Sequence, residues 1–127
     1  MGDYSRKLDR YTDISGSSVL ATGDNLSATF RQLVAAVSGE TIYIQKILVN
    51  VITDNAATLL FQDDAGTPVV IAGTKASPGI GPITFDFGPD GRALTEAKDF
   101  ELKNSAAGLA ADITWTGYRK RTATAAS

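Results

Sequence analysis

The feature that most constrains the fold is residues 41–55, with the sequence TIYIQKILVNVITDN. This run contains no Gly or Pro and is rich in isoleucine and valine, whose branched side chains favour the pleated surface of a β-strand. The apolar alternation that ends at Ile44 resumes on the opposite face at Ile47, so it changes face near Gln45 and Lys46. A strand of period two can do this only through a bulge or bend, and we expect one there, at a corner between two packed sheets. A buried helix is the weaker alternative, because the apolar positions do not share one helical stripe.

Shorter alternating runs surround this strand, and turns rich in Gly, Pro, Asp and Asn separate them. They predict further strands at residues 28–37, 58–62, 68–72, 83–87, 98–103 and 112–118. A short helix is a competing prediction for residues 28–37, whose apolar positions also fit helical spacing. Short strands with such turns between them are typical of sandwiches and jelly rolls. The sequence therefore predicts an all-β, single-domain β-sandwich, jelly-roll-like, with seven to eight strands and an extended N-terminal arm.

We divide the chain into an extended N-terminal arm (residues 1–26), a β-sandwich body (residues 27–121) and a C-terminal tail (residues 122–127). The first 26 residues are polar, and only the short piece 19–21 is suited to pair as an edge strand. Such a segment cannot form a core of its own, so it lies either on a neighbouring subunit or back on its own sheet. We expect deletion of residues 1–26 to leave a folded, monomeric body that no longer attaches to its assembly.

The composition argues against several functions. Histidine and cysteine are both absent, which removes the commonest general base, the usual metal ligands and the cysteine nucleophile. A net charge of −2 argues against a protein that neutralises nucleic-acid phosphates. No apolar stretch approaches the ~18 residues of a membrane span, and the N-terminus lacks an apolar signal core. We expect a soluble, cytoplasmically made protein with no enzymatic activity, no cofactor, no nucleic-acid or membrane partner and no small-molecule substrate.

Carboxylate pairs and one glycine-rich loop are the remaining candidates for chemistry. Asp63 and Asp64 offer oxygen ligands suited to calcium, but EF-hand spacing is missing and a solvated turn is the better interpretation. Asp86 and Asp90 flank a turn, and nothing in the sequence predicts that one acts as acid and the other as base. The loop at residues 79–81 lacks a phosphate-binding pattern and leads into a strand rather than a helix. We therefore predict no catalytic, cofactor-binding or metal-binding residues.

A basic cluster ends the last predicted strand. It is either a solubilising end or a contact with an acidic neighbouring surface or nucleic acid. We expect this cluster and the polar N-terminal segment to make inter-subunit contacts. The residues predicted for these contacts are Tyr4, Arg6, Lys7, Arg10, Tyr11, Arg119, Lys120 and Arg121.

Several segments between residues 42 and 120 occur in an order that resembles a known group of proteins. KILVNVITDNAATLLFQDDAG is followed by PVVIAG, then by PITFDFGPDGRAL after a Gly-rich loop, and then by KDFELKNSAAG and ADITWTGYRK. This order of strands and turns resembles small all-β virion structural proteins of tailed bacteriophages, including capsid decoration (cement) proteins with jelly-roll or immunoglobulin-like folds. The resemblance rests on strand order and turn composition, and it transfers no catalytic residue.

The resemblance implies a passive role in a virion. Such proteins sit on the capsid surface, often as trimers near threefold positions, and bridge neighbouring capsomers. The implied partners are the major capsid protein and further copies of the same chain. The implied location is the virion, after synthesis in the host cytoplasm.

Three alternatives stay open beside this role. A head–tail connector or tail component is also a small β protein that forms rings. A carbohydrate-binding β-sandwich module of a fibre would have an exposed row of aromatic side chains. Trp115 is not expected in such a row, because it alternates with Ile113 on a predicted inner face and is expected in the core. The tyrosines that remain form no row in the sequence: Tyr4, Tyr11, Tyr43 and Tyr118. A hydrolase would need paired carboxylates, as glycosidases use, and none converge in the sequence.

Overall fold

The computed structural model describes residues 11–121. Every regular element in this range is a β-strand, so it contains no helix able to cross a membrane. The residues for which a helix is the competing prediction contain strand β3 instead. The strands are β1 Tyr11–Asp13, β2 Gly16–Leu20, β3 Arg31–Val34, β4 Glu40–Thr53, β5 Leu59–Asp63, β6 Val70–Gly73, β7 Gly81–Asp86, β8 Arg92–Ala93, β9 Phe100–Asn104 and β10 Ala110–Arg121.

These ten segments fill eight positions in two antiparallel sheets. In sheet 1 the order is β1/β2–β10–β4–β7/β8, because β1 and β2 both pair with β10, while β7 and β8 both pair with β4. In sheet 2 the order is β3–β9–β5–β6. Along the chain the eight positions pair first with eighth, second with seventh, third with sixth and fourth with fifth, which is the wrapping of a jelly roll. The predicted all-β, jelly-roll-like sandwich with seven to eight strands is confirmed.

Strand β4 contains the bulge that its sequence predicts. Thr116 of β10 lies opposite Lys46, and the next residue, Gly117, lies opposite Ile44, so Gln45 is the extra residue. The extra residue keeps the apolar side chains on both sides of it in the core; those buried are Ile42, Ile44, Ile47, Val49 and Val51. The expected corner between two sheets is wrong, however. β10 accompanies β4 along its whole length, so both strands stay in sheet 1.

Aromatic side chains fill the space between the two sheets. The ring centroid of Phe100 lies 6.1 Å from that of Phe61 and 5.8 Å from that of Trp115. Trp115 is only 4% exposed, and its indole N–H donates to the carbonyl oxygen of Ile14 at 2.7 Å. A buried tryptophan with a satisfied N–H adds a large apolar area to a core without an unpaired donor. The predicted core position of Trp115 is confirmed.

The N-terminal residues in the described range belong to the body rather than to an arm. Strands β1 and β2 pair with β10 along the edge of sheet 1, and Ile14 and Leu20 point into the core with 9% and 1% exposure. The expected arm boundary at residue 26 is therefore wrong for residues 11–26. Deleting residues 1–26 would remove two core side chains and the hydrogen-bond acceptor of Trp115. Residues 1–10 and the predicted tail, residues 122–127, lie outside the described residues.

Candidate functional site

Four of the residues predicted for inter-subunit contacts meet at one end of sheet 1. Tyr11 of β1 lies opposite Lys120 of β10, and Arg119 and Arg121 flank Lys120 on the same strand. The other four predicted contacts, Tyr4, Arg6, Lys7 and Arg10, lie outside the described residues. We call the surface formed by Tyr11, Tyr43, Tyr118, Lys120 and Arg121 the terminal corner.

The β4 bulge builds this corner. Gln45, the extra residue, accepts the Phe87 N–H through its carbonyl oxygen at 2.8 Å and donates from its side-chain amide to the carbonyl of Pro89 at 2.6 Å. These bonds hold the turn after β7 against β4. The hydroxyl of Tyr118 donates to the carbonyl of Asp90 in the same turn, at 2.7 Å. A bulge re-aims the side chains beside it, and here Tyr43 and Tyr118 become direct cross-strand neighbours.

The tyrosines of the terminal corner pack closely on one another. The ring centroids of Tyr43 and Tyr118 are 5.1 Å apart and the ring planes differ by 9°, a stacked pair. Tyr11 meets Tyr118 edge to face at 5.6 Å, and its own side chain is 54% exposed. The ammonium group of Lys120 lies 5.1 Å from the ring centroid of Tyr43 and 5.9 Å from that of Tyr11, within cation–π distance. Burial raises the pKa of the Tyr118 hydroxyl, so it stays a neutral donor.

The three basic residues of the terminal strand have different environments. The Nε of Arg119 donates to Oε1 of Glu40 at 2.7 Å, and both side chains are only about one-fifth exposed. Arg119 is thus neutralised inside the chain and ties β10 to the start of β4. Arg121 is exposed, and Lys120 presents its charge between tyrosine rings. The corner therefore combines exposed positive charge, aromatic rings and hydroxyl groups, which suits recognition of a polar or acidic surface.

A second polar cluster, which sequence reasoning missed, lies on sheet 2. Carboxylate oxygens of Asp64, Asp99 and Glu101 all lie within 4.8 Å of one another. Asp64 directly follows β5, Asp99 directly precedes β9 and Glu101 lies in β9, and the β5–β9 register brings them together. The alternation of KDFELK already places Asp99 and Glu101 on one outward face. The sequence gives no register between β5 and β9, however, so it does not show that Asp64 joins them.

The interpretation of Asp63 and Asp64 as a solvated turn is wrong for Asp63. Its side chain is fully buried and accepts backbone N–H groups from Ala65 at 3.1 Å, Val69 at 3.0 Å and Thr95 at 2.8 Å. Burial alone would raise the pKa of Asp63, but hydrogen bonds from Thr95, Val69 and Ala65 outweigh it and lower the pKa. The carboxylate acts as a structural anchor that joins two loops, because a buried charge persists only where donors surround it.

The other motifs that the sequence singles out have local structural roles. Oδ1 of Asp86 accepts the Gly88 N–H at 3.0 Å and so closes the turn after β7. In the glycine-rich loop, the Gly79 N–H donates to Oδ1 of Asp54 at 3.1 Å. An amide already bonded to a carboxylate is not offered to a phosphate, which agrees with the prediction that this loop is not a phosphate site.

Comparisons with known proteins give remote likenesses. No protein-family model and no curated protein matches the chain. Among solved structures it is similar to a chain of the virus-like particle of extra small virus from the giant freshwater prawn Macrobrachium rosenbergii, at 9% identity and a TM-score of 0.41, covering 86% of this chain and 79% of that one. It is also similar to the CBM22-1–GH10 modules of Clostridium thermocellum xylanase 10B, solved with xylohexaose, at 12% identity and a TM-score of 0.31. That match covers 95% of this chain and 28% of the xylanase chain. Both likenesses are too distant to assign a function.

Proposed function

We propose that this chain is a non-enzymatic structural protein of a virus particle, specifically a capsid decoration (cement) protein of a tailed bacteriophage. In this proposal the protein sits on the capsid surface, binds the major capsid protein across neighbouring capsomers and stabilises the head. The observation that carries the proposal is the terminal corner, where three of the predicted contact residues, Tyr11, Lys120 and Arg121, meet at one end of sheet 1.

The fold and the resemblance in the sequence support this proposal together. Jelly rolls are used by viral capsid domains, but lectin domains and cupins use them too, so the fold alone does not decide the function. The order of strand and turn segments in the sequence resembles small all-β virion structural proteins of tailed bacteriophages, which include capsid decoration proteins. The composition adds weight, because a chain without histidine and cysteine lacks the commonest catalytic side chains.

The terminal corner has the physical properties of a protein contact surface. Tyrosine and arginine are enriched at interfaces, and rigid aromatic side chains lose little conformational entropy when they become buried. Three tyrosines already pack against one another here, so their rings are held in place before any contact forms. A protein that binds the assembled shell and not its free subunits stabilises the shell by mass action. Such a role requires a rigid body and a contact surface but no catalytic group.

Co-sedimentation with capsids that lack the protein tests the proposal. We expect saturable binding at a stoichiometry tied to the capsid symmetry. Light scattering of the free protein in the same session gives its mass and tests the expected trimer. Binding without saturation, or no binding, would contradict capsid decoration. Binding to isolated neck or tail assemblies instead would support a head–tail connector or tail component.

One observation favours a second candidate, a carbohydrate-binding module of a fibre. Tyr11, Tyr43 and Tyr118 form one surface cluster, although they are scattered in the sequence. A sugar ring stacks on an open aromatic face, however, and Tyr43 and Tyr118 cover each other's faces. The geometry therefore favours a packed protein contact. Saturable heat in a titration with soluble glycans, lost in Tyr11→Ala, would favour the carbohydrate-binding candidate instead.

A further inference from the structure

The acidic cluster on sheet 2 brings three carboxylates together, and no side chain within the described range 11–121 forms an ion pair with them. Oxygen atoms of Asp64, Asp99 and Glu101 lie within 4.8 Å of one another. Within residues 11–121 the ion pairs between side chains, Arg31–Asp24 and Arg119–Glu40, lie elsewhere. Like charges this close repel unless a proton or a cation lies between them.

A second, independent observation concerns Glu101. Its Oε1 atom is buried, with less than 1 Å² of accessible surface, and accepts no hydrogen bond. Burying such an atom costs folding free energy, because a charged oxygen loses its hydrogen bonds to water and gains no protein partner. Two side-chain amides flank Glu101 on the neighbouring strands, but the Gln32 amide donates to Oδ2 of Asp99 at 3.0 Å and the Gln62 amide is directed to the carbonyl of Asp63.

The other two carboxylates are held in position by backbone donors. Oδ1 of Asp64 accepts the Asp99 N–H at 2.9 Å, and Oδ1 of Asp99 accepts the Ala36 N–H at 2.6 Å. These bonds hold one carboxylate oxygen of each side chain in place. In metal sites, the carboxylates that bind the metal commonly accept hydrogen bonds from surrounding groups, which hold them in position. Burial and then repulsion from Asp64 and Asp99 raise the pKa of Glu101, which agrees with an uncompensated site.

We propose that Asp64, Asp99 and Glu101 bind one calcium ion, with water completing the coordination. The ligand set is all oxygen, which hard cations prefer and zinc does not. Calcium accepts irregular sites of six to eight oxygens, about 2.3–2.6 Å away, whereas magnesium requires a near-ideal octahedron. The ion would join the turn after β5 to the start of β9 and, through Asp99, to the segment after β3. This site departs from the sequence-based prediction of no metal ligands, and it is independent of the proposed capsid role.

Calorimetric titration and thermal melting of the full-length, metal-free protein test this proposal. We expect one Ca²⁺ per chain and a higher melting temperature with Ca²⁺ present. Glu101→Gln and Asp64→Asn each remove one ligand charge and keep the side-chain shape, and we expect each to weaken Ca²⁺ binding at least tenfold. Asp112→Asn is the matched control, because Asp112 is an exposed carboxylate on sheet 1. We expect it to bind Ca²⁺ like the wild type.

Folding defects are separable from ligand loss in the same experiment. Without metal, Glu101→Gln should melt no lower than the wild type, since it removes a like charge and its amide can donate to the neighbouring carboxylates. Two results would overturn the proposal: no heat and no melting shift for the wild type at millimolar Ca²⁺, or unchanged Ca²⁺ affinity in both cluster variants. Retained binding with Asp112→Asn and loss with Glu101→Gln would establish the site.

Discussion

The ring of Tyr43 stacks on the ring of Tyr118 across strands β4 and β10, with 5.1 Å between centroids. The two residues face each other because Gln45 is an extra residue in β4 and shifts the register by one beyond it. The same bulge keeps the apolar residues on both sides of Gln45 in the core. A feature required by core packing therefore also shapes the surface on which the proposed contact lies.

Gly117 is the residue of β10 that allows β4 to approach at the bulge. A Cβ atom at this position would clash with the carbonyl oxygen of Tyr43 and lie 3.1 Å from Cδ1 of Ile14. We expect Gly117→Ala to lower the free energy of unfolding by about 1–3 kcal/mol, as overpacking does. Urea melts measure the change. Gly66→Ala is the control, because a Cβ there meets no atom within 4 Å; equal stability of the two variants would contradict the packing described here.

Trp115 packs at the centre of the core. Its indole N–H donates to the carbonyl oxygen of Ile14, which lies between the edge strands β1 and β2. We expect Trp115→Ala to cost about 3–5 kcal/mol of unfolding free energy, because it removes buried apolar area and leaves a cavity. Trp115→Phe should cost less, since it keeps a ring and loses mainly the indole hydrogen bond. Denaturant melts of both variants test this. A loss below about 1 kcal/mol for Trp115→Ala would place the side chain at the surface.

Asp24 gives the fold one acid-sensitive contact. Its Oδ2 atom accepts two hydrogen bonds, one from the Ala21 N–H at 2.8 Å and one from Nη2 of Arg31 at 2.9 Å. The Ala21 hydrogen bond and then Arg31 lower the pKa of Asp24 below its ordinary value of 3.8. The carboxylate therefore adds stability above pH 3.8 that disappears as the pH falls through the lowered pKa. We expect the stability difference between wild type and Asp24→Asn to shrink on acidification, and a difference that is constant with pH would contradict this assignment.

The sequence predicts those parts of the fold in which apolar residues alternate strongly. Residues 41–55 specify both a long strand and its bulge, because a change of face leaves few other solutions. Residues 11–20 form β1 and β2, although their sequence predicts a polar arm. An edge strand buries few side chains, and only Ile14 and Leu20 of this segment reach the core. The corner expected at the bulge is wrong for a related reason. A single strand does not reveal that its neighbour continues to pair with it on both sides of the bulge.

The candidate sites depend on contacts between distant residues, which a single sequence does not show. Tyr11, Tyr43 and Tyr118 become one cluster only through the pairing of β1, β10 and β4. Asp64 reaches Glu101 only through the register of β5 and β9. The sequence predicts a contact region at the basic strand end, and this stays a prediction. The sequence does not show that Arg119 is neutralised by Glu40, 79 residues away.

The central claim is that the terminal corner attaches the protein to a capsid, and one comparison tests it most directly. Arg121 at the corner and Lys75 in the loop after β6 are both exposed, and the loop contacts Asp54, just beyond the opposite end of β4. Capsid attachment of Arg121→Glu and Lys75→Glu is measured by co-sedimentation at equal concentrations. We predict that Arg121→Glu weakens attachment roughly tenfold or more while Lys75→Glu binds like the wild type. Equal binding by both variants, or loss only with Lys75→Glu, would contradict the account.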